Sequence, residues 1–217
     1  MAVSRFKFER EFLQQGKRRI AGVDEAGRGP LAGPVVCAAV IFPTGWIQNG
    51  VPGKLRGLND SKQLSVEQRE EFFAFLTGCG EVEFGISIVS VEVIDRINIL
   101  QASLRGMNEA VTQLALQPDH TLVDGPHISS ARHSQTPLVD GDARSYSIAA
   151  ASVLAKVTRD RLMAQYDVEF PGYGFAEHKG YSTPRHLQAL TELGPCAIHR
   201  RSFAPVRGQE PTLFPLP

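Results

Sequence analysis

Residues 35–42, VVCAAVIF, form an unbroken apolar run. The shortness of the run, its β-branched valines and isoleucine, and the Gly/Pro-rich turn before it make it a strand. The lack of any polar position makes it a strand buried on both faces. Residues 19–25, RIAGVDE, read as a shorter strand just ahead of it, close enough in sequence to form a hairpin with it.

The rest of the chain supplies alternating elements. Ser65 and Gln68 have the spacing of a capping box, for a helix running to about Thr77. Residues 81–89, EVEFGISIV, alternate like a strand with one exposed face, and Ser90 caps one long helix after it. In that helix Ile97, Leu100, Leu104, Met107, Val111 and Leu114 recur at steps of three and four, a stripe that suits a core rather than a cofactor. Residues 121–125, TLVDG, form a strand ending in a carboxylate, and residues 137–139 form another ending near Asp142. Residues 145–166 hold no Gly or Pro and are rich in Ala, which marks a helix able to approach a neighbour closely. Thr183 and Pro184 set the start of a short helix that stops at Gly194. Residues 1–19 read as a basic leader and residues 43–61 and 167–181 as loops. The stretch from Ala204, with four prolines in 14 residues, reads as a mobile tail. The order is that of an α/β fold with a mixed sheet.

Charge excludes little. The balance of 23 basic against 23 acidic residues gives no global pull toward a polyanion or a membrane, although both ends are locally basic. Cys37, Cys79 and Cys196 are too widely spaced for a disulfide framework or a Cys-x-x-Cys metal site, which fits a reducing compartment. No run approaches the ~20 apolar residues of a membrane span, and the first residues lack a signal peptide's apolar core. The expectation is a soluble, cytoplasmic protein with no membrane partner, acting as a monomer.

Four acids stand at the ends of the expected strands or beside them: Asp24, Glu25, Asp124 and Asp142. Carboxylates leaving a sheet at one edge can converge there. Crowded together they repel unless a cation sits among them, and all-oxygen donors select a hard one such as Mg2+ or Mn2+. Two such ions roughly 3.5–4 Å apart suit hydrolysis of a phosphodiester. The plain alternative is that each acid caps a turn and faces solvent. Gly27, Gly29 and Ala32 also match the Gly-x-Gly-x-x-Ala of dinucleotide-binding turns, yet Pro30, Pro34 and the strand after them oppose the helix such a turn must open. Glycines here let main chain touch a substrate directly, with Arg28 free to meet phosphate, or they simply make a tight turn.

Longer strings carry a family resemblance. GVDEAGRGPLAGPVV (residues 22–36) resembles the opening motif of the ribonuclease HII family, the type 2 ribonucleases H. LNDSKQLS (58–65) is similar to the second motif, VDG (123–125) to the third, and Gly141 and Asp142 with SIAAASVLAKVTRD (147–160) to the fourth. HKGYST (178–183) and HRRSF (199–203) look like its C-terminal motifs. Asp140 stands where the family often has Lys, and Pro126 where Asn is common.

The resemblance implies an RNase H-like fold: a mixed five-stranded sheet with flanking helices and a small helical C-terminal segment. It divides the chain into a catalytic domain over residues 1–170, a substrate-binding segment over 171–206 and a tail over 207–217. It implies a metal-dependent endonuclease that hydrolyses the RNA strand of RNA–DNA hybrids and cuts on the 5′ side of ribonucleotides in duplex DNA. Asp24, Glu25, Asp124 and Asp142 would be the catalytic acids, holding two Mg2+ or Mn2+ ions. Gly27, Arg28 and Gly29 would read the ribose 2′-hydroxyl, Tyr181 would stack on the sugar at the RNA–DNA junction, and Lys62 would contact phosphate. Asp60 is expected to organise a loop and Asp160 to pair at a helix surface. His178 and His199 are expected to meet phosphate or structure loops, His120, His127, His133 and His186 to lie on the surface, and Phe72, Phe73 and Phe75 to be core. In the tail, Gln209, Leu213 and Phe214 resemble the Gln-x-x-Leu-Phe peptides that dock on bacterial sliding clamps, with a spacing one residue longer. A catalytically silent hybrid-binding module and a nucleotide-dependent oxidoreductase are the competing readings, and EDTA-sensitive cutting separates them from a nuclease.

Overall fold

Two strands, β1 (Ile20–Ala26) and β2 (Val35–Ile41), pair antiparallel through the short glycine turn, and β2 is buried at every position. β3 (Glu83–Val89) adds antiparallel to β2. β4 (His120–Asp124) lies parallel to β1, and β5 (Gln135–Leu138) parallel to β4. The computed structural model, which describes residues 5–128 and 134–207, thus holds a mixed five-stranded sheet in the order β3-β2-β1-β4-β5.

Helices cover both faces. They are α1 (Lys7–Gln14), α2 (Thr44–Asn49), α3 (Val66–Gly78), α4 (Val91–Ile97), α5 (Ile99–Thr112), α6 (Gly141–Arg144) and α7 (Tyr146–Glu169), followed by α8 (Phe175–His178), α9 (Pro184–Leu193) and α10 (Ala204–Arg207). The pleat of β2 sorts its side chains by twos. Val36, Ala38 and Val40 pack with Ala149, Ala150 and Val153 of α7 and with Phe72 and Leu76 of α3. Val35, Cys37, Ala39 and Ile41 pack with Ala102, Met107, Ala110 and Val111 of α5. A strand with a polar position on either face would have left one of these layers uncovered. At ~1.5–3 kcal/mol for each large apolar side chain buried, both layers are needed to hold a chain of this size. Small residues let α7 lie against β1: a Cβ at Gly22 would fall 2.2 Å from the Ser147 carbonyl carbon.

Several expectations need correction. The basic leader contains α1, whose Phe8, Phe12 and Leu13 pack toward Ile20, Leu122 and Ile148. Its Glu9 is fully buried, and Oε1 accepts the Ser145 hydroxyl at 2.6 Å and the Ser147 amide at 3.1 Å. The helix expected after Ser90 breaks at Asn98, where φ is 67° and the side chain caps α5 through the Gln101 amide. Leu104, Met107, Val111 and Leu114 keep the expected stripe, while Leu100 turns toward solvent. Residues 43–61 contain α2 and a short 3-10 turn, Gly53–Leu55, and α8 interrupts the second expected loop. Val139 lies outside β5 and is exposed. The chain does not loosen at Ala204: α10 buries Val206 against Leu31 and Leu190. The sliding-clamp type of peptide and His133 lie outside the described residues. Among the described residues, no helix is long and apolar enough to cross a membrane.

Candidate active site

Parallel pairing of β1 and β4 sets Val23 beside Val123, so Asp24 and Asp124 leave the sheet at the same edge on adjacent strands. After β5 the chain turns through Asp140, which has a left-handed backbone, into α6, which carries Asp142 in its first turn. The result is a cluster: carboxylate oxygens of Asp24, Asp124 and Asp142 lie within 4.8 Å of one another. Asp142 reaches it from a helical turn rather than by strand alternation from Asp140, whose side chain is exposed.

Main chain fixes these acids. Asp124 Oδ1 accepts the Gly141 amide at 2.7 Å, Asp24 Oδ1 accepts the Glu25 amide at 2.7 Å, and Asp142 Oδ1 accepts the Ala143 amide at 2.9 Å. Glu25 Oε1 accepts from Arg28 at 3.3 Å, while Glu25 Oε2 is buried with no partner among the described residues. The Lys62 ammonium lies 3.9 Å from Asp142 Oδ2 on a side chain that is 80% exposed.

Electrostatics records the crowding. Asp24 is held well above the usual carboxylate range by burial first, then by the charges of Glu25, Asp124 and Asp142. Burial likewise raises Glu25 and Asp124, with Arg28 working against it at Glu25 and the Gly141 amide at Asp124. Asp142 is pushed up to about 6 by burial, then by Asp60 and Asp124. Burial works against the charged form of Lys62, but Asp60, Asp142, Asp24 and Asp124 together outweigh it and raise its pKa.

Every residue expected to bind substrate borders the same cleft as Asp24 and Glu25: Gly27, Arg28, Gly29, Lys62 and Tyr181 all line it. A larger hollow beside Lys54, Phe75 and Cys79 lies elsewhere and, among the described residues, gathers no comparable set of acids. Asp60 organises its loop by accepting the Lys62 amide at 2.9 Å, and Asp160 pairs with Lys156 at 2.8 Å. Ser61 and Ser152 bond to each other at 2.7 Å and tie the loop bearing Lys62 to α7.

Two histidines differ from expectation. His127 is exposed, but His120 and His186 are buried. His120 stacks on Phe12 and bonds Ser134 and Thr136. His186 Nδ1 lies 2.9 Å from the Tyr181 carbonyl and its Nε2 3.1 Å from His199 Nε2. His199 and His178 are also buried, so they structure loops rather than meet phosphate. Sequence reasoning also missed Arg159 and Arg200, both fully buried beneath the glycine loop. Arg159 lies in the fourth motif and Arg200 in the last, and membership of those motifs was the available signal.

A family model described as Ribonuclease HII matches residues 21–206. The chain is 52% identical over 204 residues to the Ribonuclease HII of Geobacter metallireducens, covering 94% of this chain and 92% of that protein. Among solved structures it resembles the ribonuclease H2 from Pyrococcus horikoshii OT3, with a TM-score of 0.71 and 28% identity over 88% of this chain and 97% of the other. It also resembles a chain from the PCNA:RNase HII complex of Archaeoglobus fulgidus, with a TM-score of 0.68 and 27% identity over 84% of this chain and 93% of the other.

Proposed function

Because the chain belongs to the ribonuclease HII family of endoribonucleases, we propose that it hydrolyses the RNA strand of RNA–DNA hybrids and cuts on the 5′ side of ribonucleotides embedded in duplex DNA, leaving a 3′-hydroxyl and a 5′-phosphate. The observation that carries this reading is the convergence of Asp24, Asp124 and Asp142 within 4.8 Å, with Asp24 lining the cleft that the glycine loop and Tyr181 also border.

The donor set fits a pair of hard cations. It consists of carboxylates, their mutual repulsion raises their affinity for positive charge, and Glu25 Oε2 is buried without a partner among the described residues. Asp24, Glu25, Asp124 and Asp142 would hold two Mg2+ or Mn2+ ions. The chemistry that such ions supply is activation of water and neutralisation of charge at the departing oxygen. The chain's own part is preorganisation: amides of Glu25, Gly141 and Ala143 hold the acids in place, so they need not reorient during the reaction.

Gly27, Arg28 and Gly29 bring main chain to the ribose 2′-hydroxyl, the group that separates RNA from DNA. Tyr181 stacks on the sugar at the junction, and Lys62, tethered near Asp142 but open to solvent, meets phosphate. Sugar and phosphate carry no base identity, so cutting is independent of sequence. Residues 1–170 act as the catalytic domain and residues 171–206 as a substrate-binding segment. In the tail over 207–217, Gln209, Leu213 and Phe214 dock on a sliding clamp, a reading supported by the complex with PCNA solved for the A. fulgidus protein. Clamp binding that survives deletion of residues 208–217 would sink the tail's role.

One gel tests the activity. A labelled duplex with a single ribonucleotide should be cut on that residue's 5′ side in Mg2+ or Mn2+ and stay intact in EDTA. Binding without cutting in either metal would leave a silent hybrid-binding module as the better reading.

A further inference from the structure

Two arginines lie beneath the glycine loop with their charge turned toward main chain. Arg159, from α7, donates through Nε to the Pro34 carbonyl at 3.0 Å, through Nη2 to Ala32 at 3.0 Å and through Nη1 to Lys179 at 2.9 Å. Arg200 donates through Nη2 to Gly27 at 2.6 Å, through Nη1 to Arg28 at 2.9 Å, and through Nε and Nη2 to Gly33 at 3.0 and 2.8 Å. The carbonyls of residues 27, 28, 32, 33 and 34 therefore converge on two guanidinium planes.

Burying a cation is costly, and Arg159 and Arg200 are 1% and 0% exposed. An arrangement that only filled space would use apolar side chains. The guanidinium offers several donors at fixed angles, which a lysine cannot match. The fit is tight on the other side too. Gly27 has φ of +100°, and a Cβ there would meet Arg159 Nε at 2.1 Å.

The same atoms span two parts of the cleft. Arg159 reaches the Lys179 carbonyl, two residues before Tyr181, while the Leu31 amide donates to Gly180 at 2.8 Å. On the opposite side the Arg200 amide donates to Leu31 and the Gly33 amide to Ile198, both at 2.8 Å. The loop is thus held between the segment that carries Tyr181 and the segment that carries Arg200.

We propose that Arg159 and Arg200 are positioning residues that fix the glycine loop relative to Tyr181, and through that spacing set which phosphodiester beside a ribonucleotide is cut. This rests on the reading of the loop and Tyr181 as the ribose-recognising parts. The donors of both arginines are directed at main-chain carbonyls. Both act by holding the main chain that meets the ribose.

The test uses Arg159→Lys and Arg200→Lys in the full chain, each keeping charge and losing the planar fork. The substrate is a duplex with one ribonucleotide in Mg2+. Both variants should keep KM within a few-fold, lose about a hundredfold in kcat, and spread their cuts to neighbouring phosphodiesters. Loss of folded protein lowers the total rate without moving the cut, so position separates the two causes. Folded variants that retain the wild-type kcat and a single cut position overturn the proposal. Hydrogen exchange on the wild type supplies a measurement independent of variant folding. The Leu31 and Gly33 amides should exchange as slowly as those of β1, and exchange typical of an open loop overturns the proposal as well. A wild type that fails to cut the substrate refutes the assigned activity instead, and the exchange measurement still decides whether the loop is clamped.

Discussion

Asp124 and Gly141 are joined by a single hydrogen bond, from the Gly141 amide to Oδ1 at 2.7 Å, so the acid that ends β4 also holds the turn that delivers Asp142. A Cβ at position 141 would lie 3.1 Å from that same oxygen and 2.6 Å from Ile148 Cδ1. Gly141→Ala should therefore leave the fold intact, since the Ile148 side chain can yield, while shifting Asp142 and lowering kcat by about tenfold to a hundredfold. Steady-state cutting of a single-ribonucleotide duplex reads this, and an unchanged kcat would dissociate the turn from catalysis.

Asp124→Asn keeps an acceptor for the Gly141 amide while removing the charge and turning the second carboxylate oxygen into an NH2 group that cannot hold a cation. Cutting should fall by at least about a hundredfold, while a gel shift with the same duplex shows binding largely retained. Turnover near the wild-type rate would argue strongly against the acid cluster.

Gly22→Ala probes the sheet beneath the site. Its Cβ would meet backbone atoms of Ser147 and Ile148 at 2.2 and 2.3 Å, and main chain cannot rotate aside as a side chain can. The expected cost is about 1–3 kcal/mol or more, seen as a melting temperature lowered by roughly 3–10 °C. A melting curve superimposable on the wild type's would mean that β1 and α7 approach less closely than described.

The C-terminal histidines should make stability depend on pH. The Cys196 amide donates to His199 Nδ1 at 3.0 Å, and the Tyr181 carbonyl can only accept from His186 Nδ1 at 2.9 Å. The proton between the rings must then belong to His199 Nε2, and both rings are neutral. Burial, then His186, pulls His199 down to about 4, and burial also lowers His186. An unfolded chain takes up the proton near pH ~6.5, so the fold loses stability as pH falls from there toward 4. Asp142, raised to about 6, works in the opposite sense, which is why the comparison is with His199→Gln rather than with pH alone. Melting temperatures at several pH values should fall less steeply in the variant. Equal slopes would remove the histidines from the explanation.

How much of this was legible in the chain depended on whether the cause is local. The buried β2, the capping box at Ser65 and Gln68, and the strand-end acids all announce themselves over a few residues, and the structure has them. α1 was obscured because the three apolar residues that seat it lie in a leader, residues 1–19, that carries six basic side chains. The break at Asn98 comes from a backbone turn that leaves the apolar stripe nearly intact on either side. His186 looked like a surface residue since its ring partner, His199, lies on a segment beyond α9 whose return to it only the fold decides. Arg159 and Arg200 bond to carbonyls, which every residue possesses, so no side-chain pattern could mark their targets.

The pairing of Val23 with Val123 has a longer reach than the site itself. The main-chain separation of the two acids that follow is inherited from the sheet, at the ~4.8 Å common to any two neighbouring strands. Side-chain rotamers and the α6 turn then complete the cluster on a main-chain frame that any two paired parallel strands would supply.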